Sequence, residues 1–152
     1  MDDEEYDLPY KELVAEFPEM LGSCRVEYPP GWHEPIRTGC RTLWALYLEL
    51  KEHFDEPISI AQIKEKFGGC RFYLDGVPLT EACKADKALA ESLYDRFWQL
   101  ATEIENAAGK HCQSCGGEPA RIVSHRTGWL SCLCQRCQTD SHTEVTYDET
   151  DE

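Results

Sequence analysis

The chain lacks any run of about eighteen consecutive apolar residues, so it carries no stretch that could cross a bilayer as a helix. Basic residues are scarce: 15 Lys and Arg face 29 Asp and Glu, for a formal net charge of −14. No base occurs in residues 1–7 or 138–152, which hold five and six carboxylates. An acidic start of this kind is opposite in charge to a secretory leader, so a soluble, cytoplasmic protein is expected. Without those eleven acids, 18 remain against 15 bases, a body charge of −3. The acidity is therefore concentrated in two tails, 1–8 and 138–152, too polar and too charged to build a core and expected to be disordered. Such tails are solvated, or else repel nucleic acid or steer the chain to a basic partner.

The usual marks of catalysis are missing as well. His33, His53, His111, His125 and His142 are scattered, and none stands in a motif with a nucleophile and an orienting third group. There is no phosphate-cradling glycine loop and no paired-carboxylate signature. The expectation is a protein that binds and does not catalyse. No internal repeat is visible.

Cysteine, by contrast, is abundant. Nine cysteines, an odd number, fit a reducing compartment better than a disulfide framework. Four of them form two C-x-x-C pairs, Cys112 with Cys115 and Cys134 with Cys137, with 18 residues between the pairs. Four thiolates at this spacing can surround one tetrahedral zinc ion. Gly116 and Gly117 follow the first pair, where backbone amides must turn back towards sulfur. With four cysteine ligands the ion has no open position, so one structural Zn2+ is expected. Cys132 and His111 flank the ligands as weaker candidates for a substitute or supporting role. Cys24, Cys40 and Cys83 read as small core residues.

Residues 9–109 read as an α+β body. Residues 9–17 suggest a short helix ended by Pro18. A strand is expected at 24–28, followed by an aromatic loop with Tyr28, Trp32 and His33 that either plugs the core or serves recognition. From Pro35 to Phe54, Ile36, Cys40, Leu43, Tyr47, Leu50 and Phe54 recur at steps of four and three, an apolar helical stripe. In residues 58–75, a hairpin turning at Gly68 and Gly69 pairs Phe67 with Cys70, Glu65 with Phe72 and Ile63 with Leu74. That register puts Ile63, Phe67, Cys70, Phe72 and Leu74 on one face, with Glu65 the misfit, and Gln62, Lys64, Lys66, Arg71 and Tyr73 on the other. A helix over 59–67 is the competing reading. Thr80 is expected to cap a third helix reaching Ala108, antiparallel to the second. Residues 110–137 then form the zinc-binding module, with short strands at 120–123 and 129–133 between the cysteine pairs. The whole predicts two long packed helices with a hairpin, plus a small zinc-ribbon-like or treble-clef-like module attached as an appendage.

In order along the chain stand FPEM at 17–20, Gly31 and Trp32 opening a helix, QIKEKFGGCRFY at 62–73, C-x-x-C-G at 112–116, and G-W-x4-C-x2-C at 128–137. This series resembles a family of small phage, prophage and bacterial proteins to which no activity is assigned. The resemblance spans nearly everything but the acidic tails. It implies a phage-linked or mobile-element setting, with the host-cell cytoplasm as its location. In many such proteins the last ligand is His where this chain has Cys137, and the position of Cys70 is aliphatic.

Two binding functions are compatible with this reading. One is association with a host or toxin protein, as an inhibitor, counter-defence or immunity-type factor, suggested by the acidic balance and the aromatic loop. The other is nucleic-acid binding through Arg121, His125, Arg126, Trp129 and Arg136 on the zinc module and Lys64, Lys66 and Arg71 on the hairpin. Trp32, His33 and Tyr73 complete the candidate binding surface. The protein partner is the preferred of the two.

Overall fold

A computed structural model describes residues 3–145, with side chains described from Tyr10 onward. The acidic residues 1, 2 and 146–152 of the expected tails lie outside the described residues. Helix α1 (Asp3–Glu16) begins well before the expected Pro9 and is followed by the single turn α2 (Pro18–Leu21). Strand β1 (Arg25–Glu27) comes next, then a 3-10 turn at Pro30–Trp32 that opens α3 (His33–Leu50). The hairpin is β2 (Ile60–Lys66) and β3 (Gly69–Leu74). β1 lies parallel to β2, giving a three-stranded sheet in the order β1-β2-β3.

The hairpin turns one residue earlier than expected. Ile63 pairs with Phe72, Glu65 with Cys70 and Lys66 with Gly69, leaving Phe67 and Gly68 in the turn. The shift moves each pairing by two residues, so the faces keep their identity: Ile63, Cys70, Phe72 and Leu74 are buried. Only Phe67 changes its fate, leaving the apolar face for solvent. The misfit Glu65 has a reason in this register, because its Oε1 accepts the N–H of Gly68 at 2.6 Å and closes the turn.

The expected third helix is two helices, α4 (Glu81–Ala85) and α5 (Lys87–Ala108). Thr80 caps the first through the N–H of Cys83, at 3.1 Å. Asp86 interrupts the run and caps the second through the N–H of Leu89, at 3.2 Å. Early residues of α3 lie beside late residues of α5, so the two run antiparallel. Their contact is close at Gly39, where a β-carbon would fall 2.5 Å from Cγ1 of Ile104. On the far side α5 covers β3, and Oε2 of Glu105 accepts the N–H of Phe72 at 2.9 Å, satisfying an edge amide.

After α5, β4 (Ala120–His125) and β5 (Leu130–Cys134) form the expected second hairpin. A third strand, β6 (His142–Glu144), adds to the free side of β4 and gives the order β5-β4-β6. This corrects the expectation that everything beyond residue 137 is a disordered tail. The segment is too short to show a period, and Thr143 and Val145 are strand-forming residues hidden within an acidic average. Among the described residues no helix is long and apolar enough to cross a membrane.

Candidate metal centre and the surface beside it

α5 delivers the chain directly to Cys112. The Cys112 amide donates to the carbonyl of Gly117 at 2.8 Å, and the Gly116 amide donates to the carbonyl of Cys112 at 2.8 Å, closing a tight knuckle. Gly116 takes φ +80°, a left-handed conformation that glycine adopts without steric cost. The Gly117 amide points at Sγ of Cys115 at 3.4 Å, placing a donor where thiolate charge collects. The other two sulfurs come from the end of β5 (Cys134) and from the 3-10 turn Gln135–Cys137.

The four Sγ atoms lie within 4.8 Å of one another, and those of Cys115 and Cys134 are 3.6 Å apart. A tetrahedral ion bonded to sulfur at ~2.3 Å requires edges of about 3.8 Å, so the cluster can hold one metal ion. Burial pushes the Cys112 thiol up, but the amides of Cys115, Cys134 and Ser114 and the thiol of Cys137 outweigh it and bring it down to about 6. Cys137 is pushed up to about 12 by hydrogen bonding with Cys115, Cys112 and Cys134. Cys112 and Cys137 thus share a proton, which a cation binding among the sulfurs would expel.

Neither neighbour is placed to substitute for a ligand. Cys132 points away into the main core and its Sγ donates to the carbonyls of Gly109 and His111 at 3.4 and 3.3 Å. His111 uses Nδ1 against the carbonyl of Gly116 and Nε2 against Oε1 of Glu118, each at 2.9 Å.

The aromatic loop proves to be the joint between body and metal module. Trp32 has no exposed surface, and its Nε1–H donates to the carbonyl of His111 at 2.9 Å. The Gly31 amide donates to the carbonyl of Gln113, also at 2.9 Å. Glycine is required at 31 for approach: a β-carbon there would lie 1.9 Å from the carbonyl oxygen of Cys112. Tyr28 is buried too, its hydroxyl 2.8 Å from Nδ1 of His33 and its carbonyl accepting from the Tyr10 hydroxyl. Trp32 is therefore withdrawn from the binding surface, and His33 is half-buried against Tyr28. An amphipathic ring that brings its own donor is well suited to such a joint. The metal module has a small apolar cluster of its own, Cys112, Val123, Leu133 and Cys134, and is tied into the body through Cys132, which belongs to the same cluster as Trp32, Leu43 and Phe97.

The basic candidates divide between two places. Lys64, Lys66, Arg71 and Tyr73 lie on the outward face of the β1-β2-β3 sheet, as the alternation requires. Arg25 and Glu27 of β1 share that face and pair with each other at 3.3 Å. Lys64 and Arg71 stand directly opposite one another across the hairpin. Like charges so placed repel, and neither they nor Lys66 form an ion pair among the described residues. Arg121, Arg126 and Arg136 are exposed on β4, on the β4–β5 turn and on the turn before Cys137. Trp129 is 69% exposed on that β4–β5 turn.

The residue that sequence reasoning missed is Phe67. It is 67% exposed at the tip of the β2–β3 turn and takes φ +54°, a left-handed conformation that costs a side chain with a β-carbon roughly 1–2 kcal/mol. Next to it Gly68 is buried against β4 and β5: a β-carbon there would sit 3.2 Å from the carbonyl carbon of Ser131 and 3.4 Å from Ile122. That contact brings Phe67 beside Trp129, and a cleft of about 270 Å³ opens between them, lined by Glu65, Lys66, Phe67, Gly128, Trp129 and Leu130. The signal was available in Glu65, whose polarity fits only a turn placed at Phe67 and Gly68.

Compared with protein-family models, curated proteins and solved structures, the chain matches none.

Proposed function

We propose that this chain is a nucleic-acid-binding protein whose fold is stapled by one structural zinc ion in the Cys112, Cys115, Cys134 and Cys137 cluster. The observation that carries the reading is the Lys64–Arg71 pair with Lys66 beside it on an outward sheet face, none of them in an ion pair, since Glu27, the neighbour of Lys64 on β1, is taken by Arg25. An acidic chain that sets like cations opposite each other, against the local energetics, has a use for an anion there. Zinc is the ion favoured by four thiolates, and the order of knuckle, strands and second knuckle is that of zinc ribbons. Its role is to hold β4 and β5 in position.

The test is a titration against single- and double-stranded DNA and RNA at low and moderate salt. The expected result is binding that weakens as salt rises, with a slope of about −0.7 per phosphate contacted on a single strand. The double variant Lys64→Gln with Arg71→Gln should make that slope shallower by about 0.7 for each phosphate no longer neutralised. No binding at low salt would overturn the reading. The protein-partner alternative would then stand, supported by the net charge of −14, and capture from the native host would name its partner. The burial of Trp32 and Tyr28 has removed the aromatic loop as an argument for it.

A further inference from the structure

Resting on the nucleic-acid reading, we infer that the cleft between Phe67 and Trp129 receives an unpaired base, which makes the protein selective for single strands. Two aromatic side chains, 67% and 69% exposed, are brought together here from separate hairpins. Neither ring stacks on another aromatic ring among the described residues, and the contact over a face of Phe67 is the Lys66 ammonium. The cleft of about 270 Å³ falls below the ~300–1,000 Å³ that encloses a drug-sized molecule and suits a single flat heterocycle. A base inside a duplex is already stacked on both sides and could not enter.

The turn itself is the independent observation. Two-residue turns of this type favour Asn or Gly at both central positions, because each needs a positive φ. Phe67 occupies the first at φ +54°, followed by Gly68 at φ +81°. A phenyl ring in a conformation that disfavours it, held out into solvent, points to a role outside the core. The charge around it fits the same ligand. Nζ of Lys66 lies 5.6 Å from the Phe67 ring centre, at the edge of the cation-bearing sheet face that would track the phosphates. The carboxylate lining the cleft, Glu65, is committed through Oε1 to the Gly68 amide.

The experiment compares a single DNA strand of about 12 nucleotides, within the ~4–16 nucleotide footprint of single-strand-binding folds, with its duplex and with an abasic strand of equal length. The full chain is used with zinc present, alongside Phe67→Asn and Trp129→Ala. The intact strand is expected to bind about ten-fold or more tighter than the abasic strand or the duplex, and each variant should lose that margin. Asn followed by Gly is the favoured pair for this turn, so Phe67→Asn should melt no lower than the parent, and its loss of binding cannot be ascribed to unfolding. Salt-dependent binding that is equal for all three ligands and unmoved by Phe67→Asn would overturn this inference while leaving the proposed function intact. No binding of any strand at low salt would overturn both.

Discussion

The indole N–H of Trp32 donates to the carbonyl of His111, the residue just before the first cysteine of the metal cluster, at 2.9 Å. This part-buried hydrogen bond joins the start of α3 to the cysteine knuckle. Metal binding and folding of the body should therefore be coupled. Stripping the metal with a chelator should lower the melting temperature of the whole chain in one transition, followed by far-UV circular dichroism. Separate melting of residues 110–137 would contradict this. Trp32→Phe keeps most of the ring volume but loses the donor, and should cost about 1–3 kcal/mol.

Gly31 tests the same joint through space. A β-carbon at this position would fall on the backbone of Cys112 and Gln113, at 1.9 and 2.6 Å, and backbone cannot swing aside. Gly31→Ala should destabilise by about 3 kcal/mol, the upper end of overpacking costs, and weaken metal retention. Gly109→Ala is the control. Its nearest neighbours would be 3.6 Å away, an ordinary contact, so urea midpoints should barely move.

The cysteines near the cluster should separate cleanly by metal content. Cys134→Ser removes a sulfur that lies 3.6 Å from that of Cys115 and should leave well under one zinc per chain by elemental analysis. Cys132→Ser should keep its zinc, because that side chain bonds to the carbonyls of Gly109 and His111 instead. Zinc loss from Cys132→Ser with retention in Cys134→Ser would reverse the assignment of ligands.

Alkali should destabilise the body. Burial pushes the thiols of Cys24 and Cys70 up to about 12 and raises Cys40 as well, from an ordinary value of 9.0. The folded chain therefore retains protons that the unfolded chain releases above about pH 9. Stability from these thiols is fully present below that pH and is lost as pH rises towards 12. The slope is at most about 1.4 kcal/mol per pH unit for each thiol. Urea midpoints between about pH 8 and about pH 10.5 measure it, and Cys70→Val should make the fall shallower.

Much of this architecture is legible in local chemistry. The Cys112, Cys115, Cys134 and Cys137 set follows from spacing alone, because a tetrahedral ion and two short knuckles leave little freedom. The α3 stripe of Ile36, Cys40, Leu43 and Tyr47 is a period that only a helix satisfies. The division of the first hairpin into Ile63, Phe72 and Leu74 on one side and Lys64, Arg71 and Tyr73 on the other survives even the two-residue change in pairing, since faces alternate every residue. The interruption of the third helix at Asp86 was less legible, because a side-chain cap within a good helical sequence carries no periodic signal.

What only the tertiary structure decided is which groups meet. Trp32 in sequence reads as a core plug with recognition as the alternative, and only the structure shows its N–H meeting the knuckle carbonyl of His111. The strand His142–Glu144 exists because β4 offers it an edge, which no count of acidic residues could reveal. The pairing of Phe67 with Trp129 depends on Gly68 packing against Ser131 and Ile122, a contact between parts of the chain with no sequence relation. Spacing and periodicity determine local conformation and the set of cysteines that can hold a metal ion. The proposed binding surface is assembled from distant residues, and long-range packing alone brings them together.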